Sequence, residues 1–519
     1  MLKGHKYLSK SFLPPLFLIG VFLVVSFFNC SFNHYDPWTG AKLYPTFAVF
    51  NLVDLYNCNK SPIILTVYGP CSSLFYLPAV MGNEPQSCMW IALSLNIFVL
   101  LFFLLVIFVL FHKSPTPIFL YLGISFLFYL TLDKTTISLF QIHHDLPTAF
   151  YLFLFFAILF YPKRSHIVLF VASFVLWMSF WTKITALPWL FLPLLIKKIT
   201  PQSGPLLNQF SFSQIALNQT LSGLLIFGLL GVSYGFSDLC IHIFGATNAY
   251  PWRECISLFG SENETLLPND FSSKVLALLR ISYLYFIDYW WLVCSCIFIF
   301  FSQLKSSHPS HPIIWLLLSY FLVLPACLSA LAKFGGVENS LLFAHLPAYA
   351  AIFLKTSLIL DDLPVAKKLT VGLVALFTIL LSLFSLRQAK GAYRDTSFSP
   401  IQLGYEYLIT NPDKPVLFAL SPLPNYLATG KIHDSGEALT YSTMMNPDFL
   451  QKTVGMNDPL TIPVLAFGSP PYSKSFFDKK FILKEIPSPD GLGDWQLFKA
   501  SPKNDYTAPP PANQRSSSN

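Results

Sequence analysis

Five short stretches place ionisable or hydroxylated side chains beside runs too apolar to hold them by chance. "NHYDPWTG" (33–40) sets one carboxylate, Asp36, among a histidine and two aromatics just past a long apolar run. "QIHHDLPTAF" (141–150) gathers His143, His144 and Asp145 at the head of another. "WTKITALPW" (181–189) isolates Lys183 between two apolar runs. "AKFGGVENSLLFAHLPA" (332–348) brings together Lys333, paired glycines, Glu338, Asn339 and His345, and "TVYGPCSSLFYLPA" (66–79) offers Tyr68 before a Gly-Pro step.

Each stretch has a chemical and a plain structural reading. A carboxylate with two imidazole neighbours can bind a divalent cation, or a phosphate held by one. Equally, Asp145 can cap a helix with Pro147 in its first turn, and Asp36-Pro37 is a helix start of the same kind. Lys183 either pairs with an anion in a cavity or snorkels to the membrane surface. Lys333 beside Gly335 and Gly336 suits a phosphate, because glycine lets backbone approach a ligand closely; an interhelical turn has the same composition. The Tyr68 segment reads as a turn and a surface helix, with no chemistry of its own.

The elements that must position these groups are membrane helices. Of the 519 residues, 54% are hydrophobic and only 11% charged, against roughly 25% charged in a soluble domain. Apolar runs near the length of about 20 residues that a spanning helix needs recur at 12–29, 90–111, 116–132, 147–161, 166–181, 184–196, 217–235, 282–302, 312–331, 340–359 and 369–386. The expected fold is therefore a polytopic α-helical membrane protein with about 11 transmembrane helices. The first run follows Lys3, Lys6 and Lys10 but has no small-residue cleavage site, so it reads as a retained signal anchor.

Charge sets the orientation. With a cytoplasmic N-terminus the inner loops hold Lys113, Lys163, Arg164, Lys197, Lys198, Lys305, Lys367 and Lys368, while most acids fall outside. That is the positive-inside bias, and it makes the net charge of +7 a topology signal rather than a sign of nucleic-acid binding. Two outer loops, 30–89 and 236–280, are too long and too aromatic to be mere connectors. Cys30, Cys58, Cys71 and Cys88 lie in or beside the first, where buried thiols and disulfides are both open readings. After about 388 the composition changes to short β-like runs at 414–421, 460–468, 480–486 and 494–500, with helix-like pieces at 401–410 and 446–455. The expected division is a transmembrane domain at 1–387, a small extracytoplasmic α/β domain at 388–500 and a low-complexity tail at 501–519.

Taken in order, these pieces resemble the GT-C glycosyltransferases, in particular the branch of bacterial lipid A aminoarabinose transferases and protein mannosyltransferases. The likeness covers roughly residues 12–386 and rests on "NHYDPWTG", "VYGPCSSLFYLPA", "HHDLPTAF", "TKITALP" and "KFGGVENSLL". It implies an enzyme that moves a sugar from a polyprenyl-phosphate-linked donor to a lipid, glycan or protein acceptor on the outer face, in a bacterial inner membrane. Asp36 then matches the acid that acts as general base on the acceptor or orients it. Asp145 matches the second acid, tied to a divalent metal or the donor phosphate, with His143 and His144 beside it. Lys183 and Lys333 fall where they can meet that phosphate, and Tyr68, Glu338 and Asn339 are candidates for lining the substrate cavity. One departure stands: where the aminoarabinose branch has a lysine before the proline of its first-loop segment, this chain has Gly69.

The chemistry is consistent with what is missing. No GxxxxGK[ST], GxSxG, HExxH or strand-linked GxGxxG occurs, and a donor preassembled on a lipid needs no nucleotide cofactor. A transporter or lipid flippase is the alternative; it predicts internal repeats and mid-span charges, whereas most charges here sit at span ends. An outer-face glycan polymerase or ligase of different fold is a third reading.

Overall fold

The computed structural model describes residues 37–56, 68–110, 141–160, 165–200, 206–240, 251–258, 265–307, 309–333, 338–361, 400–435, 464–467, 481–489 and 495–503, with a few single positions between them. Asp36, Gly335, Gly336 and the expected spans at 12–29, 116–132 and 369–386 lie outside these residues, as do the helix-like piece at 446–455 and positions 504–519 of the tail, whose first two residues instead end the strand Gln496–Pro502. The principal helices are α1 (Pro37–Phe50), α2 (Pro85–Leu110), α3 (Asp145–Leu159), α4 (His166–Phe180), α5 (Leu192–Ile199), α6 (Phe212–Tyr234), α7 (Phe271–Lys305), α8 (His311–Leu331), α9 (Leu342–Asp361), α10 (Pro400–Thr410) and α11 (Leu423–Thr429). The strands are β1 (Trp252–Arg253), β2 (Leu266–Leu267), β3 (Leu417–Phe418), β4 (Val464–Phe467), β5 (Phe481–Ile486) and β6 (Gln496–Pro502).

Among the described residues, five helices are long and apolar enough to cross a membrane: Pro85–Phe103, Phe212–Tyr234, Phe271–Lys305, His311–Leu331 and Leu342–Ile359. They keep large apolar side chains on their outer faces, such as Leu224 on α6 and Phe298 and Phe301 on α7, which suits lipid and not water. The chain is an integral membrane protein. Helices α3 and α4 are shorter, at 15 residues each. The expected span at 184–196 is not one helix: a 3-10 helix over Ile184–Phe191 gives way to α5. Pro188 and Pro193, which lack the amide hydrogen that continues an α-helix, account for the break.

The chain divides into two compact units: Met1–Asn33, Leu93–Gly228 and Pro251–Asp395 form one; His34–Ala92, Leu229–Tyr250 and Thr396–Asn519 form the other. In the first, α8 packs against α9 and α7, and α3 against α4. Helices α4 and α6 approach closely at Gly223, where a Cβ would lie 2.5 Å from the Trp177 ring; Trp177 Nε1 donates to the Gln219 carbonyl at 2.8 Å. Small residues permit such contacts in lipid, where no hydrophobic effect drives helices together.

The second unit holds a four-stranded sheet in the order β3-β4-β6-β5, parallel between β3 and β4 and antiparallel elsewhere. The four strands lie where the four short β-like runs predict them. Leu408, Val416, Phe418, Ala466, Leu492, Trp495 and Leu497 make its core. Where the sequence reading grouped the first outer loop with the transmembrane helices, residues 34–92 fall in the same compact unit as the C-terminal segment. Long-range contacts are the reason. Tyr44 Oη donates to the His433 carbonyl at 2.9 Å and accepts from its amide at 2.8 Å. Gly40 permits the close packing, since a Cβ there would lie 2.8 Å from Ser421 Oγ.

Candidate functional site

The polar centre of the first unit is built on Asp145, the first residue of α3. Its helix begins after His144, whose backbone is already helical and whose side chain makes no cap. Thr148 Oγ1 donates to the His144 carbonyl at 2.8 Å, and Asn96 Nδ2 donates to the Gln141 carbonyl at 2.7 Å, so the segment leading into α3 is tied down on both sides. Asp145 is fully buried, and its carboxylate faces an ammonium and an imidazole. Lys183 Nζ donates to Oδ1 at 2.5 Å, and His143 Nδ1 lies 2.5 Å from Oδ2. The capping reading of Asp145 gives way to an ion-pair reading.

Lys183 reaches this point because the chain is extended there (φ −150°, ψ 122°), between the end of α4 and the 3-10 helix that follows. Its backbone amide closes onto the Ser179 carbonyl at 3.1 Å, and its ammonium sits 5.1 Å from the centre of the Phe343 ring on α9. Its side chain is 12% exposed, so it is pulled inward to the carboxylate and does not snorkel. His144 is also buried, its ring 5.8 Å from that of His143. A buried carboxylate is tolerable only when paired, and here it is paired twice. The arrangement holds two basic side chains on one fixed carboxylate.

Crystal structures with this architecture exist. ArnT from Cupriavidus metallidurans bound to undecaprenyl phosphate matches over 93% of this chain and 97% of that one, with a TM-score of 0.52 and 12% identity. Its apo state matches over the same shares with a TM-score of 0.54 and 12% identity. The fold is the GT-C fold. An Archaeoglobus fulgidus oligosaccharyltransferase tethered to an acceptor peptide matches over 95% of this chain and 75% of that one, at a TM-score of 0.45 and 10% identity. No protein-family model matches the chain, and no curated protein sequence does.

On this GT-C fold the other predicted residues are distributed as follows. Lys333 stands in isolated β-pairing with Trp252, its ammonium 5.7 Å from the centre of the indole ring. Burial lowers its pKa below the ordinary lysine value, and the positive charge of Lys274 adds to the effect. Tyr68 is half-buried, and its carbonyl accepts from Tyr56 Oη at 2.7 Å. Glu338 and Asn339 open a short 3-10 helix, Glu338–Leu341. Asp36 falls outside the described residues, so only the second of the two acids has a described environment.

A divalent cation does not fit Asp145 as it stands. One carboxylate oxygen is held by an ammonium and the other faces an imidazole. Among the described residues, no three His, Cys, Asp or Glu side chains gather as ligands.

Two polar residues have no role in the sequence reading: Arg253, which it does not single out, and His345, which it names without assigning chemistry. Arg253 is buried, donating from Nε to the Leu331 carbonyl at 2.7 Å and from Nη2 to the Leu258 carbonyl at 3.1 Å; it ties the β1 strand to the end of α8. His345 is buried between tyrosines, with Tyr285 Oη 3.1 Å from Nε2 and Tyr349 Oη 3.3 Å from Nδ1. Only the rarity of ionisable groups in such apolar runs would have flagged them.

Proposed function

We propose that this chain is a membrane glycosyltransferase that moves a sugar from a polyprenyl-phosphate donor to an acceptor on the outer face of the membrane. The observation that carries this reading is the buried Asp145–Lys183–His143 cluster on a GT-C fold. ArnT, which shares that fold, binds undecaprenyl phosphate, a ligand of the class that such a cluster suits. In the reaction the acceptor hydroxyl oxygen attacks the anomeric carbon and the bond from that carbon to the phosphate oxygen breaks. The hydroxyl proton goes to a carboxylate base, the role that the family resemblance gives to Asp36. The lipid phosphate leaves carrying the bond's electron pair, and Lys183 neutralises it without a metal in its place. A preorganised cation in a dry site is the kind of group that acts mainly on the transition state. Bacterial inner membrane and a lipid, glycan or protein acceptor complete the proposal.

The test is transfer of labelled sugar from a panel of polyprenyl-phosphate sugars by the purified protein. Lys183→Met and Asp145→Asn should each lose about 10²- to 10³-fold in rate, the loss seen for one preorganised electrostatic contact. Full activity in both variants would remove the cluster from the mechanism, and no transfer from any such donor would remove the function.

A further inference from the structure

Helix α7 has 35 residues, which at 1.5 Å per residue is about 52 Å. The hydrocarbon layer is about 30 Å thick. Burying the whole helix would need a tilt of about 55°, outside the range of about 0–40° for spanning helices. A span of about 20 residues counted back from Lys305 ends near Phe286, and the first part of the helix remains above it. That part is not polar. Leu276 is 44% exposed, Leu279 64% and Tyr283 66%, and their spacing of three and four residues puts them along one side. Ala277, Ile281 and Tyr285 on the opposite side are buried. At its flanks, Lys274 is half-buried and Arg280 pairs with Glu254 at 2.8 Å.

We infer that residues 271–285 lie in the lipid interface, with Leu276, Leu279 and Tyr283 inserted at the boundary of headgroups and acyl chains. Three features select the bilayer surface as the occupant of this stripe. Exposed apolar side chains follow the stripe along the same helix, Phe286 and Ile287 first and then Phe298 and Phe301 in its spanning part. The helix is interrupted at Tyr289, whose backbone is non-helical (φ −123°, ψ 23°), just where the spanning part must meet the surface. Beside that break stand exposed Trp290 and Trp291, the residue type that settles at headgroup depth. Helices of this kind sit about 5–10 Å deep.

The experiment uses the full-length protein in nanodiscs of phosphatidylethanolamine and phosphatidylglycerol. One spin label at a time is attached at Leu276, Leu279, Tyr283, Arg280 or Phe298 through a genetically encoded azide, leaving the native cysteines in place. Collision rates with oxygen and with a neutral nickel chelate then report depth. Labels at Leu276, Leu279 and Tyr283 should favour oxygen, at a depth of about 5–10 Å. The label at Arg280 should favour the chelate, and that at Phe298 should be deeper than all. Stripe labels as accessible to the chelate as Arg280 would mean that the segment stands in water. Stripe labels shielded from both reagents would mean that protein, including a second copy of the chain, covers them. Either result overturns the inference.

Discussion

Lys183 and Lys333 carry the same side chain and were both expected to meet a phosphate, yet they live in opposite electrostatic settings. Lys183 donates to a fully buried carboxylate at 2.5 Å. Lys333 lies over the Trp252 ring, half-buried and close enough to Lys274 to feel its charge. Its surroundings make the ammonium form harder to keep. The first has a carboxylate for its neighbour; the second has an aromatic face and a like charge. A lysine's place in a sequence says little about its electrostatic duty, which is set by what folds against it.

The largest effect should come from breaking the buried pair. Asp145→Ala strands the Lys183 ammonium in a dry site, and breaking such a pair by removing one partner costs about 3–5 kcal/mol. The double variant Asp145→Asn with Lys183→Met leaves no stranded charge, and it should recover most of that loss in thermal unfolding in detergent. If the double variant is as unstable as Asp145→Ala, the pair is not what holds α3 to the Lys183 segment.

That pair also shows how far the sequence could be read. Asp145 and its two histidines stand together in the chain, so the cluster's acid half was visible. Its other half is 38 residues away, and for Lys183 snorkelling is the more frequent case until the fold brings the two together. The four strands of the C-terminal segment were legible because alternation and Pro/Gly punctuation are local signals. Their shared unit with the first outer loop was not, because Tyr44 and His433 are 389 residues apart. The start of α7 was placed at 282 because Lys274 and Arg280 interrupt the apolar run. Asp270, which accepts from the Ser273 amide at 2.8 Å as a side-chain cap, is the local signal that would have moved it to 271.

A smaller effect should come from the other lysine. Lys333→Met removes the cation over the Trp252 ring, a contact that contributes about 0.5–1 kcal/mol at an exposed site. The stability change should therefore be a fraction of that for Asp145→Ala. Trp252→Leu, which keeps an apolar neighbour but removes the ring face, should produce a change of similar size in the same unfolding measurement. A loss as large as that from Asp145→Ala would erase the contrast between the two lysines.

The smallest effect sharpens the contrast most, because it reads charge directly. Lys333 has a pKa lowered first by burial and then by the Lys274 charge, so Lys274→Met should raise it while burial keeps it below the ordinary value. Reductive methylation with a carbon-13 label lets the titration of Lys333 be followed by NMR in both proteins. The linkage has a definite sign. While both lysines are charged, their repulsion destabilises the fold, so Lys274→Met should stabilise the protein below the Lys333 pKa. As the pH rises through that pKa, Lys333 becomes neutral in the parent protein and the repulsive part of the advantage disappears. A titration of Lys333 unmoved by Lys274→Met would leave burial as its sole cause and uncouple Lys333 from Lys274.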